Sequence, residues 1–167
     1  MKNLGICFII LILSFVFITS ASAADTVKVT GNTAQYLNQT NDEKIIVNGK
    51  VYKGKYCLQN DRTEIDAWDF TQNYLLGEKD DNRNWFSLSS DSENEIIIKR
   101  ESDGRQVTFY KGSSKMKQPN KELKNLDCSS FVYQETNFVP LRYLCESFGY
   151  SVDWDGKAKT IIIEKEA

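Results

Sequence analysis

Proton transfer near neutral pH most often relies on histidine, and this chain of 167 residues contains none. Serine–histidine and cysteine–histidine nucleophiles are therefore excluded, and there is no CxxC pair or phosphate-cradling glycine loop. Carboxylates are plentiful, but Asp42, Glu43, Asp80, Asp81, Asp91, Glu93 and Glu95 fall in polar, turn-like stretches. The paired acids of a glycoside hydrolase are instead fixed in a cleft. Asp80, Asn82, Asn84 and Asp91 match positions 1, 3, 5 and 12 of a calcium-loop template, yet Trp85 replaces the glycine at position 6 and Asp replaces the closing Glu. That stretch reads as a solvated loop whose aromatic residue returns to the core. The expectation is a protein with no enzymatic activity, no cofactor and no metal site.

Cysteine chemistry depends on address, and the N-terminus supplies one. Lys2, the apolar run Ile6 to Ile18 and the small residues Ala21-Ser22-Ala23 follow the order of a secretory signal peptide, predicting residues 1–23 as a leader cut after Ala23. The run is about 13 residues, short of the roughly 20 that span a bilayer, so no transmembrane anchor is expected. Cys7 lies within the leader. Export would place Cys57, Cys128 and Cys145 where disulfides persist, and three thiols allow at most one bridge within the chain. Loss of Lys2 leaves 20 basic against 23 acidic side chains with no clustered basic face, which excludes nucleic acid as a partner.

The elements that must position these residues are mostly strands. Thr26–Thr30, Lys44–Val47, Lys50–Lys53, Trp85–Leu88, Glu95–Lys99, Gln106–Tyr110, Ser151–Trp154 and Thr160–Glu164 are short and rich in Ile, Val, Tyr and Thr. Asn48-Gly49 predicts a tight hairpin, because both central positions of that turn need positive φ. Asp103-Gly104 predicts a slightly longer one. Two helices are expected. Leu141, Leu144, Cys145 and Phe148 recur at helical spacing between Pro140 and Gly149, a start and a stop signal; a poorer version runs from Asp66 to Gly77 behind Thr63 as cap.

The two helices sit in similar surroundings, which suggests an internal duplication. Thr63-Glu64-Ile65 parallels Thr136-Asn137-Phe138, 73 residues on, and Ile96-Ile97-Ile98 parallels Ile161-Ile162-Ile163, 65 residues on. The fold class expected is α+β and β-rich, with two β-α-β-type repeats, each an antiparallel sheet curled around one short helix. The first, diverged repeat would span 24–110 and the second 111–167, the 106–110 strand being a candidate for sharing between them.

Residues 136–164 carry a more specific string: Val139-Pro140-Leu141-Arg142, Glu146, Phe148-Gly149, Val152, Trp154-Asp155 and the closing isoleucines. This stretch resembles the copper amine oxidase N-terminal-like, or stalk, domain of secreted and surface proteins of Gram-positive bacteria. Upstream, Gln106–Gly112 and Ser114–Met116 fit the strand, glycine turn and strand of that family. The copper chemistry in the name belongs to a separate catalytic domain that uses histidine ligands and a tyrosine-derived quinone, so it is excluded here. The resemblance implies the fold and a supporting or binding role. The motif residues have structural duties: Pro140 starts the helix and Gly149 stops it, while Leu141, Leu144 and Phe148 face the sheet. Val152 and Trp154 would alternate inward on the next strand, and Arg142 and Glu146 would pair across one turn. A ligand site centred on Arg142 and Trp154 is the competing reading.

Cys145 falls in the apolar stripe of the helix, as a small buried hydrophobe. Cys57 and Cys128 precede the two pre-helix segments by similar distances. If the repeats pack about a pseudo-twofold axis, these two would form the bridge, worth about 4 kcal/mol for a loop of roughly 70 residues. An intermolecular bond or free thiols are the alternatives. Tyr36, Tyr52, Tyr56, Trp68, Tyr74, Trp85 and Tyr133 offer aromatic area to a core or to a partner. The function expected is a secreted module for cell-surface scaffolding, adhesion or recognition. The alternative is a soluble, inhibitor-like protein that binds a glycan, peptide or enzyme. The sequence does not identify the partner; a cell-wall glycan or a surface protein would suit either role.

Overall fold

The computed structural model describes residues 26–29, 32–36, 43–75, 86–89 and 94–166, the first two segments by backbone only. The leader, Cys7, the four ligand positions of the calcium-loop template with Trp85, and the expected helix stop at Gly77 lie outside the described residues. The chain opens with β1 (Thr26–Val29) and β2 (Asn32–Tyr36), followed by a hairpin of β3 (Lys44–Val47) and β4 (Lys50–Val51). Asn48 and Gly49 turn that hairpin with φ of 47° and 79°, as the Asn-Gly pair demands. A second hairpin, β5 (Tyr56–Gln59) and β6 (Arg62–Asp66), leads into helix α1 (Ala67–Phe70), which widens into a π-helical turn over Thr71–Leu75. Next come β7 (Phe86–Ser89), β8 (Glu95–Arg100), β9 (Gln106–Tyr110), β10 (Ser113–Lys117), β11 (Lys124–Tyr133) and β12 (Thr136–Pro140). Helix α2 (Leu141–Ser147) and the hairpin β13 (Tyr150–Asp155) and β14 (Thr160–Lys165) complete the fold.

Ten strands join in the order β1-β2-β5-β6-β12-β11-β10-β9-β8-β7, every pair antiparallel, and four more in the order β13-β14-β3-β4. An open sheet of ten strands curls, and both helices pack on it, α1 against β6 and β12 and α2 against β6, β9 and β12. Within the smaller sheet β14 runs parallel to β3, with Thr160 beside Lys44 and Ile163 beside Val47. This departs from the purely antiparallel sheets expected. A parallel pair needs a long crossover, and everything from β4 to β13 supplies it. One main core results, with Ile45, Ile65, Phe70, Phe86, Ile98, Leu144 and Ile163 all at 2% exposure or less.

The helix ends refine the sequence reading. Thr63 lies within β6, and Asp66 is the cap of α1, its Oδ1 accepting from the amides of Trp68 and Asp69 at 3.1 and 3.2 Å. The Thr71 hydroxyl donates back to the Ala67 carbonyl at 2.7 Å, the kind of bond that distorts a helix. Pro140 stands at the N-cap of α2, and Gly149 follows its end at φ 79°, where an added Cβ would crowd Arg105 Nη1 at 3.0 Å.

The bridge between Cys57 and Cys128 is not formed; both are buried free thiols, as is Cys145. Strand register explains this. Cys57 has Tyr36 of β2 on one side and Glu64 of β6 on the other, and β11, which carries Cys128, is not adjacent to β5. A disulfide needs Cα atoms about 4.4–6.8 Å apart. Cys57 packs instead in a small second core with the stacked rings of Phe131 and Phe138, 5.0 Å between centroids. Cys145 is wholly buried in the apolar face of α2.

Tyr52, Phe70 and Tyr74 form an edge-to-face cluster, with Tyr52 centroids 5.4 and 4.7 Å from its neighbours. Gly54 lies beneath it, and a Cβ there would overlap the Tyr52 hydroxyl and Asp69 Oδ2. Gly54→Ala is expected to destabilise the fold by about 1–3 kcal/mol, the range for forced overpacking. Urea denaturation measures the loss; an unchanged midpoint would show that the cluster yields freely.

Candidate functional site

An open groove of about 610 Å³ lies between α2, the β13–β14 hairpin and the tip of the β5–β6 hairpin. That volume is in the range of ligand pockets. Leu58, Leu141, Val152 and Ile161 supply apolar surface. Trp154, 51% exposed, lines it as well. Val152 and Trp154 were expected to alternate inward together, and only Val152 does. β13 is an edge strand whose burial fades towards its C-terminal end, with Asp153, Trp154 and Asp155 all exposed. The turn beyond it is fixed: Asp155 Oδ1 accepts from the amides of Lys157 and Ala158 at 2.9 and 3.0 Å. The indole rests against it, since a Cβ on Gly156 would lie 3.4 Å from Trp154 Nε1.

Arg142 connects helix and hairpin. Its Nη1 donates to the Val152 carbonyl at 2.6 Å and lies 3.8 Å from Glu146 Oε1. The ion pair is half-exposed and contributes little, so the bond to the Val152 carbonyl is what ties α2 to β13. Val139 before α2, Leu141 at its start and Phe148 at its end are buried at 2% exposure or less. Thus the structure brings Pro140, Leu141, Arg142, Val152 and Trp154 to one groove, while Val139, Phe148 and Gly149 support it from behind.

The opposite wall comes from residues the sequence reading did not single out. Arg62 at the β5–β6 turn pairs with Asp127 of β11. Burial alone would raise the Asp127 carboxyl, but the guanidinium more than offsets it and holds it below its ordinary value. Tyr143 of α2 lies alongside, with Lys124 Nζ 4.7 Å from its ring centroid. Burial and the Asp127 charge push its hydroxyl up. Nothing in the sequence marks Arg62 and Asp127 as partners, because 65 residues separate them.

Cys128 also lines the groove, but burial, followed by the nearby Glu64 charge, drives its thiol far above the usual range and leaves it a poor nucleophile. Glu64 lies behind it, fully buried. Among the described residues neither of its oxygens has a hydrogen-bond partner, nor do Gln59 Nε2 and Ser130 Oγ. Burial dominates the Cys128 contact and pushes the Glu64 carboxyl up to about 8. Among the described residues no group of three or more His, Cys, Asp or Glu is placed to hold a metal ion, and no helix is long and apolar enough to cross a membrane.

Residues 88–163 match the family model described as the copper amine oxidase N-terminal domain. That domain is a non-catalytic module. No curated protein and no solved structure matches the chain. The matched stretch runs from the end of β7 to β14, and so contains α2, β13 and Asp127 but not Arg62.

Proposed function

We propose that the chain is a secreted, non-catalytic module of the Gram-positive stalk type, serving scaffolding, adhesion or recognition at the cell surface through the groove beside Trp154. The observation that carries this is the groove itself: an exposed indole and apolar side chains line one concavity with an arginine–aspartate pair and a thiol that burial keeps protonated. Such a surface suits binding, and its carboxylates are not enclosed as a catalytic acid pair would be. The absence of histidine from the sequence agrees with that.

The leader at 1–23 accounts for export in this reading, and 24–110 and 111–167 are the two copies of one β-α-β unit. Supporting the duplication, β6 enters α1 as β12 enters α2, and these two strands pair antiparallel with Ile65 opposite Val139. The second reading, a soluble glycan-, peptide- or enzyme-binding protein, is favoured by the exposure of Trp154 alone.

A pull-down with purified cell walls tests the proposal. The mature chain is expected to be retained, and Trp154→Ala to be washed out. Equal retention of both proteins would remove the groove from the function, and a hydrolytic activity abolished by replacing an exposed Asp or Glu would overturn the non-catalytic reading.

A further inference from the structure

We infer that the groove is a subsite for a neutral pyranose glycan, with one sugar ring stacked on Trp154 and a vicinal diol held by the Arg62–Asp127 pair. The inference rests on the recognition role proposed above and names its ligand.

Sugar rings present a flat apolar face of C–H groups and a rim of hydroxyls, so their sites combine an aromatic platform with planar side chains that donate and accept side by side. Both parts are present. Trp154 is half-exposed and held against the Gly156 turn, so it needs no reordering to bind. Across the groove Arg62 offers guanidinium N–H donors and Asp127 a carboxylate acceptor, each about half exposed and already fixed by the other.

Charge narrows the ligand further. Glu43, Asp61, Asp127 and Asp153 line the groove against Arg62 and Arg142, a surplus of two negative charges. A phosphate-bearing polymer is repelled there, whereas a neutral sugar has no such penalty. An extended peptide is the other geometric possibility, adding a strand to the open edge of β13. That edge is blunted, because Arg142 already occupies the Val152 carbonyl that an added strand would use. Among the described residues, this is the one place where an exposed large aromatic, an apolar floor and a donor–acceptor pair line the same cavity.

Titration calorimetry with chitotetraose and cellotetraose tests this directly. Saturable binding is expected with at least one of them, weakened about tenfold or more by Trp154→Ala and by Asp127→Asn. Melting temperatures should stay near that of the parent, because both side chains are solvent-facing. Poly(glycerol phosphate) should give no heat. Absence of saturable binding to both tetrasaccharides, or binding that survives Trp154→Ala, overturns the assignment. The cell-wall pull-down separates the two levels. Retention that still requires Trp154 while both saccharides fail leaves the groove as a peptide site; retention indifferent to Trp154 removes the groove's role altogether.

Discussion

Replacing Glu64 by Gln is expected to stabilise the protein at pH 8 and to leave it nearly unchanged at pH 5. Glu64 is at 0% exposure, and neither carboxylate oxygen finds a hydrogen-bond partner among the described residues. Burial raises its folded-state pKa from 4.5 to about 8. The folded protein therefore holds a proton that the unfolded chain releases. The stabilisation linked to that proton is complete below about pH 4.5, declines as pH rises, and is lost once pH passes about 8. Glutamine keeps the shape and stays neutral, so its stability lacks this slope. The expected gain at pH 8 is about 2–4 kcal/mol, seen as roughly 5–10 °C in melting temperature for a chain of this size. Asp103 and Asp127, whose folded values are lowered, impose the opposite slope on both proteins and cancel in the comparison. Melting curves from pH 4.5 to 8.5 that run parallel for the two proteins would rule out a buried neutral Glu64.

Glu64 also shows where the sequence stopped being readable. Strands built from Ile, Val and Thr, such as β3, β8 and β14, announce themselves by composition, and the Asn48-Gly49 turn and the helix between Pro140 and Gly149 by their start and stop residues. The hairpin of β5 and β6 carries Cys57, Gln59, Arg62 and Glu64, a pattern that resembles a polar loop. It is a strand pair within a sheet because β2 and β12 flank it on both sides. Strand pairing over long separations decided this, and no local pattern encodes it. The groove was legible in half: Arg142 and Trp154 belong to a recognisable motif, but their opposite wall depends on β11 crossing to the β5–β6 turn. Trp154 was misplaced because period-two alternation says which face a side chain takes and not whether anything covers that face.

The same long-range pairing governs how the chain folds. A fragment spanning 88–167, which contains the whole family match, is expected not to fold on its own. Its closing strand β14 would lose β3, whose Ile45 and Val47 are at 2% and 1% exposure in the main core. β12 would lose β6, leaving Val139 and Phe138 without Ile65 and Asp66 opposite them. Two strand edges would be opened and the shared apolar cluster cut through, since Leu144, Val152 and Ile163 pack in one core with Ile45, Ile65 and Phe70. Burying a single such side chain is worth about 1.5–3 kcal/mol, and a domain's whole stability is about 5–15 kcal/mol. Several lost at once exceed it. Circular dichroism of the fragment should show no cooperative thermal transition, against one sharp transition for the chain from residue 24 onward. Supplying residues 24–87 as a separate peptide should restore the transition, because the missing strands would be returned to their edges. A fragment that melts cooperatively alone would instead make the matched stretch a self-sufficient domain and reduce the β3–β14 pairing to a contact between two independent units.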